Sequence, residues 1–146
     1  MFVFYDINDL MLLQLTKLLP SINVPILIAE GMLRYHSHPI PDRVKMLEKD
    51  GLVQIKPLDE EGYKFVINNK KNYRQAGCAL LEVFHMCQTH NAILIVGEEE
   101  TLIRSIATQL GIKTFTMDEF KQSTVNNKEY FEFINEIKKE KQNLNL

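Results

Sequence analysis

The sequence has only two cysteines, and it has no CxxC pair and no Cys/His cluster with metal-ligand spacing. That excludes a disulfide framework and a zinc ribbon. Cys78 and Cys87 fall in one apolar helical pattern and read as reduced core thiols of a cytoplasmic protein. No apolar run approaches bilayer-spanning length, so no membrane segment is expected. The opening MFVFYDIND is apolar but too short and too acidic for a signal peptide. Charge of one sign is also lacking. The net charge of −2 gives no global attraction to nucleic acid or anionic membranes, so such binding needs a local patch. There is no phosphate-loop glycine motif and no nucleophile elbow around Ser37, Ser105 or Ser123. The histidines do not form a metal set. His36 and His38 lie in a proline-bounded loop, and His85 and His90 are five apart on one helix. No repeat or low-complexity tract appears.

What is present is the material of one soluble domain. The 146 residues are 45% hydrophobic and 25% charged, which allows a sizeable core. Phe2 to Tyr5 reads as a buried strand ending at Asp6. Asp9 is a candidate N-cap for a helix carrying Leu10, Leu13 and Leu18, stopped by Pro20. Asn23 to Leu27 reads as extended, with a helix from Ile28 that ends before His36. Asp42 could cap Arg43 to Asp50, closed by Gly51, and Leu52 to Ile55 alternates as a strand does. Asp59 to Asn69 looks helical, and residues 68–72 are polar and loop-like. The clearest helix is Gln75 to His90, with Ala79, Leu80, Val83, Phe84 and Cys87 at helical spacing. Ile93 to Val96 is continuously apolar and reads as a parallel strand covered on both faces. Thr101 to Leu110 is a helix with Gly111 at C′, and Lys113 to Met117 is a last strand. Glu129 to Lys141 is an amphipathic helix with Tyr130, Phe133, Ile134 and Ile137 on one face. This order predicts an α/β domain with a mostly parallel central sheet and right-handed crossovers. In such sheets functional groups collect at the carboxyl ends of the strands. Asp6 ends the first strand, and Gly97 to Glu100 follows the central one.

Three stretches together resemble a PIN domain. VFYDINDLMLL is similar to the family's opening strand, Asp-x-Asn and leucine-rich helix. NVPILIAEGML is similar to its short element with a proline and a helical glutamate. YRQAGCALLEVFHMCQTHNAILIVGEEETLIRSIATQLGIKTF is similar to its long helix, buried strand with an acidic end, following helix, Leu-Gly-Ile turn and final strand. The resemblance covers Phe2 to Phe120. It implies a three-layer PIN-like domain over residues 1–120. Residues 121–146 then form a charged helix packed on that domain or on a partner.

The resemblance also implies a metal-dependent ribonuclease, of the kind found as toxins in bacterial toxin–antitoxin pairs. It would hold Mg²⁺ or Mn²⁺ on carboxylates, because hard cations take oxygen ligands and promote in-line phosphodiester displacement. Carried over by position, Asp6 is the first acid, Asn8 the accompanying asparagine and Glu30 the helical glutamate. The fourth acid is Glu98 in one register and Glu100 in another. Asp6, Glu30, Glu98 and Glu100 are thus the candidate metal ligands. Asp6, Glu30 and Glu98 are the candidate catalytic acids, with Asn8 supporting the cofactor. The third acid should open the long helix, and there the chain has Gly77. The site is therefore expected to be degenerate, and the alternative is a non-catalytic module that binds RNA or a protein. Plainer readings stand beside these. Asp6 could be a helix cap, Glu30 a solvated residue, the glutamate triplet an ordinary helix start, and Glu82 a surface acid. The basic run Lys70-Lys71-x-x-Arg74, with Tyr73 inside it, could meet phosphates and a base or be a solvated turn. A doubly wound receiver-like domain ranks last, because it needs paired acids after the first strand.

RNA, an antitoxin-like protein and a second copy of the chain are the partners this reading implies. A homodimer is expected, and sedimentation at high protein concentration tests it. The particle should have twice the 17.0 kDa chain mass, and a monomer under those conditions removes the expectation.

Overall fold

A computed structural model describes residues 1–124 and 128–144. Five strands, β1 (Phe2–Phe4), β2 (Ile26–Ala29), β3 (Gln54–Lys56), β4 (Ile93–Ile95) and β5 (Thr114–Phe115), form one sheet in the order β3-β2-β1-β4-β5. Every pairing is parallel, so the expected mostly parallel sheet is wholly parallel. The helices are α1 (Ile7–Leu15), α2 (Glu30–Leu33), α3 (Ile40–Lys49), α4 (Glu60–Asn69), α5 (Cys78–His90), α6 (Thr101–Gln109), α7 (Met117–Thr124) and α8 (Lys128–Leu144). Right-handed crossovers set α1 and α3 on one face of the sheet and α5 and α6 on the other. The result is three layers, as the sequence predicts.

The core follows from the apolar strands. All three residues of β1 and all four of β2 are buried, as a parallel strand covered on both faces requires. Leu81, Val83 and Phe84 of α5 cover one face with no exposure at all. On the other face Phe120 of α7 sits edge-on to Phe2 and Phe4, with ring centroids 5.0 and 5.1 Å apart. That arrangement is favoured by the ring quadrupoles. Gly51 and Gly111 close α3 and α6 with φ of 78° and 73°, the left-handed geometry their C′ positions demand.

Several boundaries move, each for a local reason. Asp6, not Asp9, is the N-cap of α1, because its carboxylate accepts the Asn8 N–H at 2.9 Å. That helix ends at Leu15, short of Leu18. Lys17 turns left-handed at φ 59°, and Leu18 N–H returns to Leu13 O at 3.1 Å in a Schellman closure. Ile28 and Ala29 belong to β2 rather than to a helix, held by pairing with Ile55 and Lys56 of β3. Asp42 caps nothing; α3 starts at Ile40, behind Pro39. The long helix begins at Cys78 with Gly77 as its N-cap. Its first residue is therefore exposed, and only Cys87 is a core thiol. Burial pushes the Cys87 thiol up to about 12, which leaves it inert. The expected last strand stops at Phe115, because Thr116 and Glu119 form a capping box that starts α7. The boundary drawn at residue 120 falls inside that helix. The expected apolar face of α8 lies outside the described side chains at Tyr130, Phe133 and Ile134, and Ile137 is exposed. No helix of the described residues is long and apolar enough to cross a membrane.

Phe120 closes the core against two rings of the central strand. Phe120→Ala should cost about 3–5 kcal/mol. A urea midpoint that falls with an unchanged slope is the expected result, and an unmoved midpoint would show that α7 is not part of the core.

Candidate functional site

The site is built from strand ends. Val3 pairs with Leu27 on one side and Leu94 on the other, and Phe4 pairs with Ile95. Carried on to the strand ends, these registers set Asp6 level with Glu30 and with Gly97. Tyr5 N–H extends the ladder to Ile95 O at 3.3 Å. Asp6, Glu30 and the Glu98–Glu100 triplet therefore share one edge of the sheet, the carboxyl edge where α/β sites form.

The triplet leads directly into α6. Glu98 and Glu99 form a turn, and Glu100 is the N-cap of α6 with no side-chain capping bond. The Arg104 guanidinium of α6 reaches back and donates to Gly97 O at 2.9 Å, which pins the turn to the helix. Glu99 folds over Gly97 so closely that a Cβ there would lie 2.7 Å from a carboxylate oxygen. A side chain at that position would displace the flexible Glu99 carboxylate. Glu98 and Glu99 are exposed, and Glu100 is half-buried.

Electrostatics divide the edge into two groups. On the α1 side, Asp9 is half-buried and its carboxyl is pushed up to about 6. Desolvation is the main cause; Asp6 and Glu99 add like charge, and Lys121 of α7 opposes them. On the α5 side, Tyr5 is raised first by burial and then by Glu100 and Asp6. Glu82 of α5 is also raised, by burial above all. Its carboxylate accepts the Gly31 N–H at 3.4 Å, and Arg34 offsets its charge while Glu30 adds to it. A Cβ on Gly31 would collide with that carboxylate. Glu82 is therefore a half-buried part of the edge rather than a surface acid. Asn8 meets Asp6 only through its backbone N–H.

Gly77 opens α5 on a groove of about 450 Å³ that also takes in Tyr5, Tyr35 and Glu100. Nothing lies within 4 Å of where its Cβ would be. Of the edge carboxylates, only Glu100 lines this groove. Among the described residues no three His, Cys, Asp or Glu side chains converge to hold a metal ion. The donors present stop short of the carboxylate set that the PIN resemblance implies.

Sequence reasoning missed Asp9, Arg104 and Lys121. Asp9 was legible in the Asp-x-x-Asp spacing, which brings both acids into one helical turn. Arg104 and Lys121 had no signal, because each reaches the edge through tertiary packing.

No protein-family model matches the chain, and no curated protein matches it. Among solved structures, a chain of the FitAB complex bound to an IR36 DNA fragment is similar at 10% identity. The match covers 80% of this chain and 95% of that one, with a TM-score of 0.45. A likeness that distant carries no functional weight, and the reading below rests on the chain's own residues.

Asp9 gives a pH test. Its folded pKa lies above the unfolded one, so the folded state holds the extra proton between about pH 4 and pH 6. Stability should fall as pH rises through that window. Asp9→Asn should recover about 1 kcal/mol at pH 7, after discounting for solvent screening, and little at pH 4. Thermal unfolding would read this as a gain of about 2–4 °C at the higher pH only. A gain equal at both values would assign the effect to packing instead.

Proposed function

We propose that this chain is a PIN-like protein of the ribonuclease type whose acid edge is degenerate. It engages single-stranded or structured RNA, binds Mg²⁺ or Mn²⁺ feebly and cleaves little or not at all. The supporting observation is Gly77. It opens the long helix on the groove that holds Tyr5 and Glu100, at the position where the PIN resemblance implies a carboxylate. Asp6 and one of Glu98 to Glu100 remain as the acids that would hold a metal. Glu30 would bind it or orient its water, and Asn8 would support Asp6. A hard divalent cation needs several converging oxygen donors. The substitution of Glu for Asp after β4 lengthens the arm that carries the charge, which loosens the geometry Mg²⁺ demands.

The same glycine supplies the experiment. Its Cβ position is open, so Gly77→Asp fits without disturbing a neighbour, and aspartate is well placed at a helix N-terminus. Calorimetry with Mn²⁺ should find weak or no binding to the unaltered chain. Gly77→Asp should tighten it by at least about 10-fold, and Gly77→Ala should not. If the unaltered chain cleaves RNA briskly and Asp6→Asn abolishes this, then Glu82 or a triplet glutamate has replaced the missing acid. The degenerate reading then fails. If neither the unaltered chain nor Gly77→Asp binds the ion, the metal part of the reading fails.

A further inference from the structure

Three grooves around the α5 side of the edge join end to end. The first, about 320 Å³, lies between α2, α4 and α5 and is lined by Arg34, Tyr35, Tyr63, Lys70 and Glu82 among others. It shares Tyr35 and Ala79 with the central groove that holds Tyr5, Gly77 and Glu100. The central groove shares Gln75, Leu102 and Ile106 with a third, about 370 Å³, that carries Lys71, Tyr73 and Arg74. Cations therefore stand at both ends and none in the centre. The first groove holds aromatic surface that folding leaves unused: Tyr35 is 70% exposed and Tyr63 61%. Two acids lie on this path: Glu82 accepts the Gly31 N–H with Arg34 offsetting its charge, and Glu100 sits in the central groove away from the cationic ends.

We infer that these grooves form a track for an unpaired nucleic-acid strand, which passes the acid edge and is held on both sides of it. Arg34 and Lys70 take phosphates on one flank, and Lys71 and Arg74 take them on the other. Tyr35 stacks a base between the first groove and the centre, and Tyr63 offers a second face. The chemistry is that of single-strand binders. Cations follow the backbone, and aromatic faces accept any base. The charge pattern favours a strand over an apolar protein helix, because a helix has no use for cations at both ends of its groove. It also resolves how a chain with net charge −2 can hold a polyanion: the positive charge is local. The track deepens the RNA reading above but does not depend on a metal, and its test is run without one.

The measurement is fluorescence anisotropy of the full chain with a labelled, unstructured RNA of about 12 nucleotides, in EDTA and across a salt series. The same sequence as single-stranded DNA and as a duplex forms the other arms. The single strands should bind more tightly than the duplex, and RNA against DNA reports which strand the track prefers. Tyr35→Ala should weaken single-strand binding by about 10-fold. Arg34→Gln and Arg74→Gln, at opposite ends, should each weaken it and lower the salt slope by about one. Lys49→Gln on α3 should change nothing. All four positions are exposed, and matching thermal melts establish that the variants fold. If Tyr35→Ala and both arginine variants bind as the unaltered chain does, the track is wrong. It is equally wrong if no strand binds and these substitutions instead alter sedimentation, which would make the face a protein interface. Failure of Gly77→Asp to bind Mn²⁺ would sink the metal reading and leave this result untouched.

Discussion

The parallel pairing of β1 with β4 is the constraint on which the rest depends. Two short apolar runs, FVF and ILI, buried but for the partly exposed Ile93, lie side by side, and their backbone groups pair with each other and with the next strands. Parallel direction then fixes where both chains emerge. Tyr5 and Asp6 must leave the sheet beside Val96 and Gly97, at one edge and at one level. Nothing about the acids themselves brings them there. The hydrophobic pairing does, and the carboxylates bear a cost for it, seen in the raised pKa of Asp9. A sheet that forces acids together at its edge is either built to hold a counter-charge there or carries a cost it has partly relieved. Here the relief is visible. Lys121 faces Asp9, Arg34 faces Glu82, and Arg104 pins the acidic turn through Gly97 O.

The layer architecture was legible because it rests on signals that are local in sequence. Ile93 to Val96 has no polar alternation, so only a strand covered on both faces fits it. Gly51 and Gly111 follow their helices as left-handed C′ residues do, and both adopt that geometry. What was not legible depended on choices between neighbours. Either Asp6 or Asp9 could cap α1. The choice falls to Asp6 because the strand delivers the chain in extended geometry at that residue, with φ −99° and ψ 113°. Ile28 and Ala29 could extend a strand or start a helix. A partner strand from a distant segment decides it, and no window around Ile28 contains that partner. The missed α7 is a different failure. Thr116-x-x-Glu119 is a capping box in plain view, overlooked because the apolar run before it read on as a strand.

The edge was legible in its position and not in its internal arrangement. The strand reading brought Asp6 and the triplet to one side of the sheet, and the PIN resemblance added Glu30. Neither could say which way each side chain turns. That depends on strand parity and on small residues. Phe2 and Phe4 face α7 and Val3 faces α5, so Asp6 and Tyr5, which continue the same alternation, leave β1 toward opposite faces. Asp6 therefore joins Asp9, Glu99 and Lys121, while Tyr5 joins Glu100 and the groove of Gly77. Glu82 could be read as a plain helix acid until Gly31 is set opposite it. The missing Cβ at Gly31 makes the space that lets a helix carboxylate reach a backbone N–H on α2.

These two glycines pull the edge in opposite directions. Gly31 admits a carboxylate from α5 into the space beside Glu30. Gly77 puts no side chain at the start of the same helix. Glu82 lies five residues after Gly77, so the acid it contributes sits more than one helical turn further along α5. Its charge is accordingly directed at α2 and Arg34, not at Asp6. Glu82 therefore does not stand in for a carboxylate at position 77 on this backbone. The groove at Gly77 carries Tyr5 and Tyr35 with Glu100 as its one charged lining residue, and cations line the grooves on both sides of it. Under the proposed strand track, that groove would take a base rather than a divalent ion, because a base needs an aromatic face and room, and an ion needs converging oxygens.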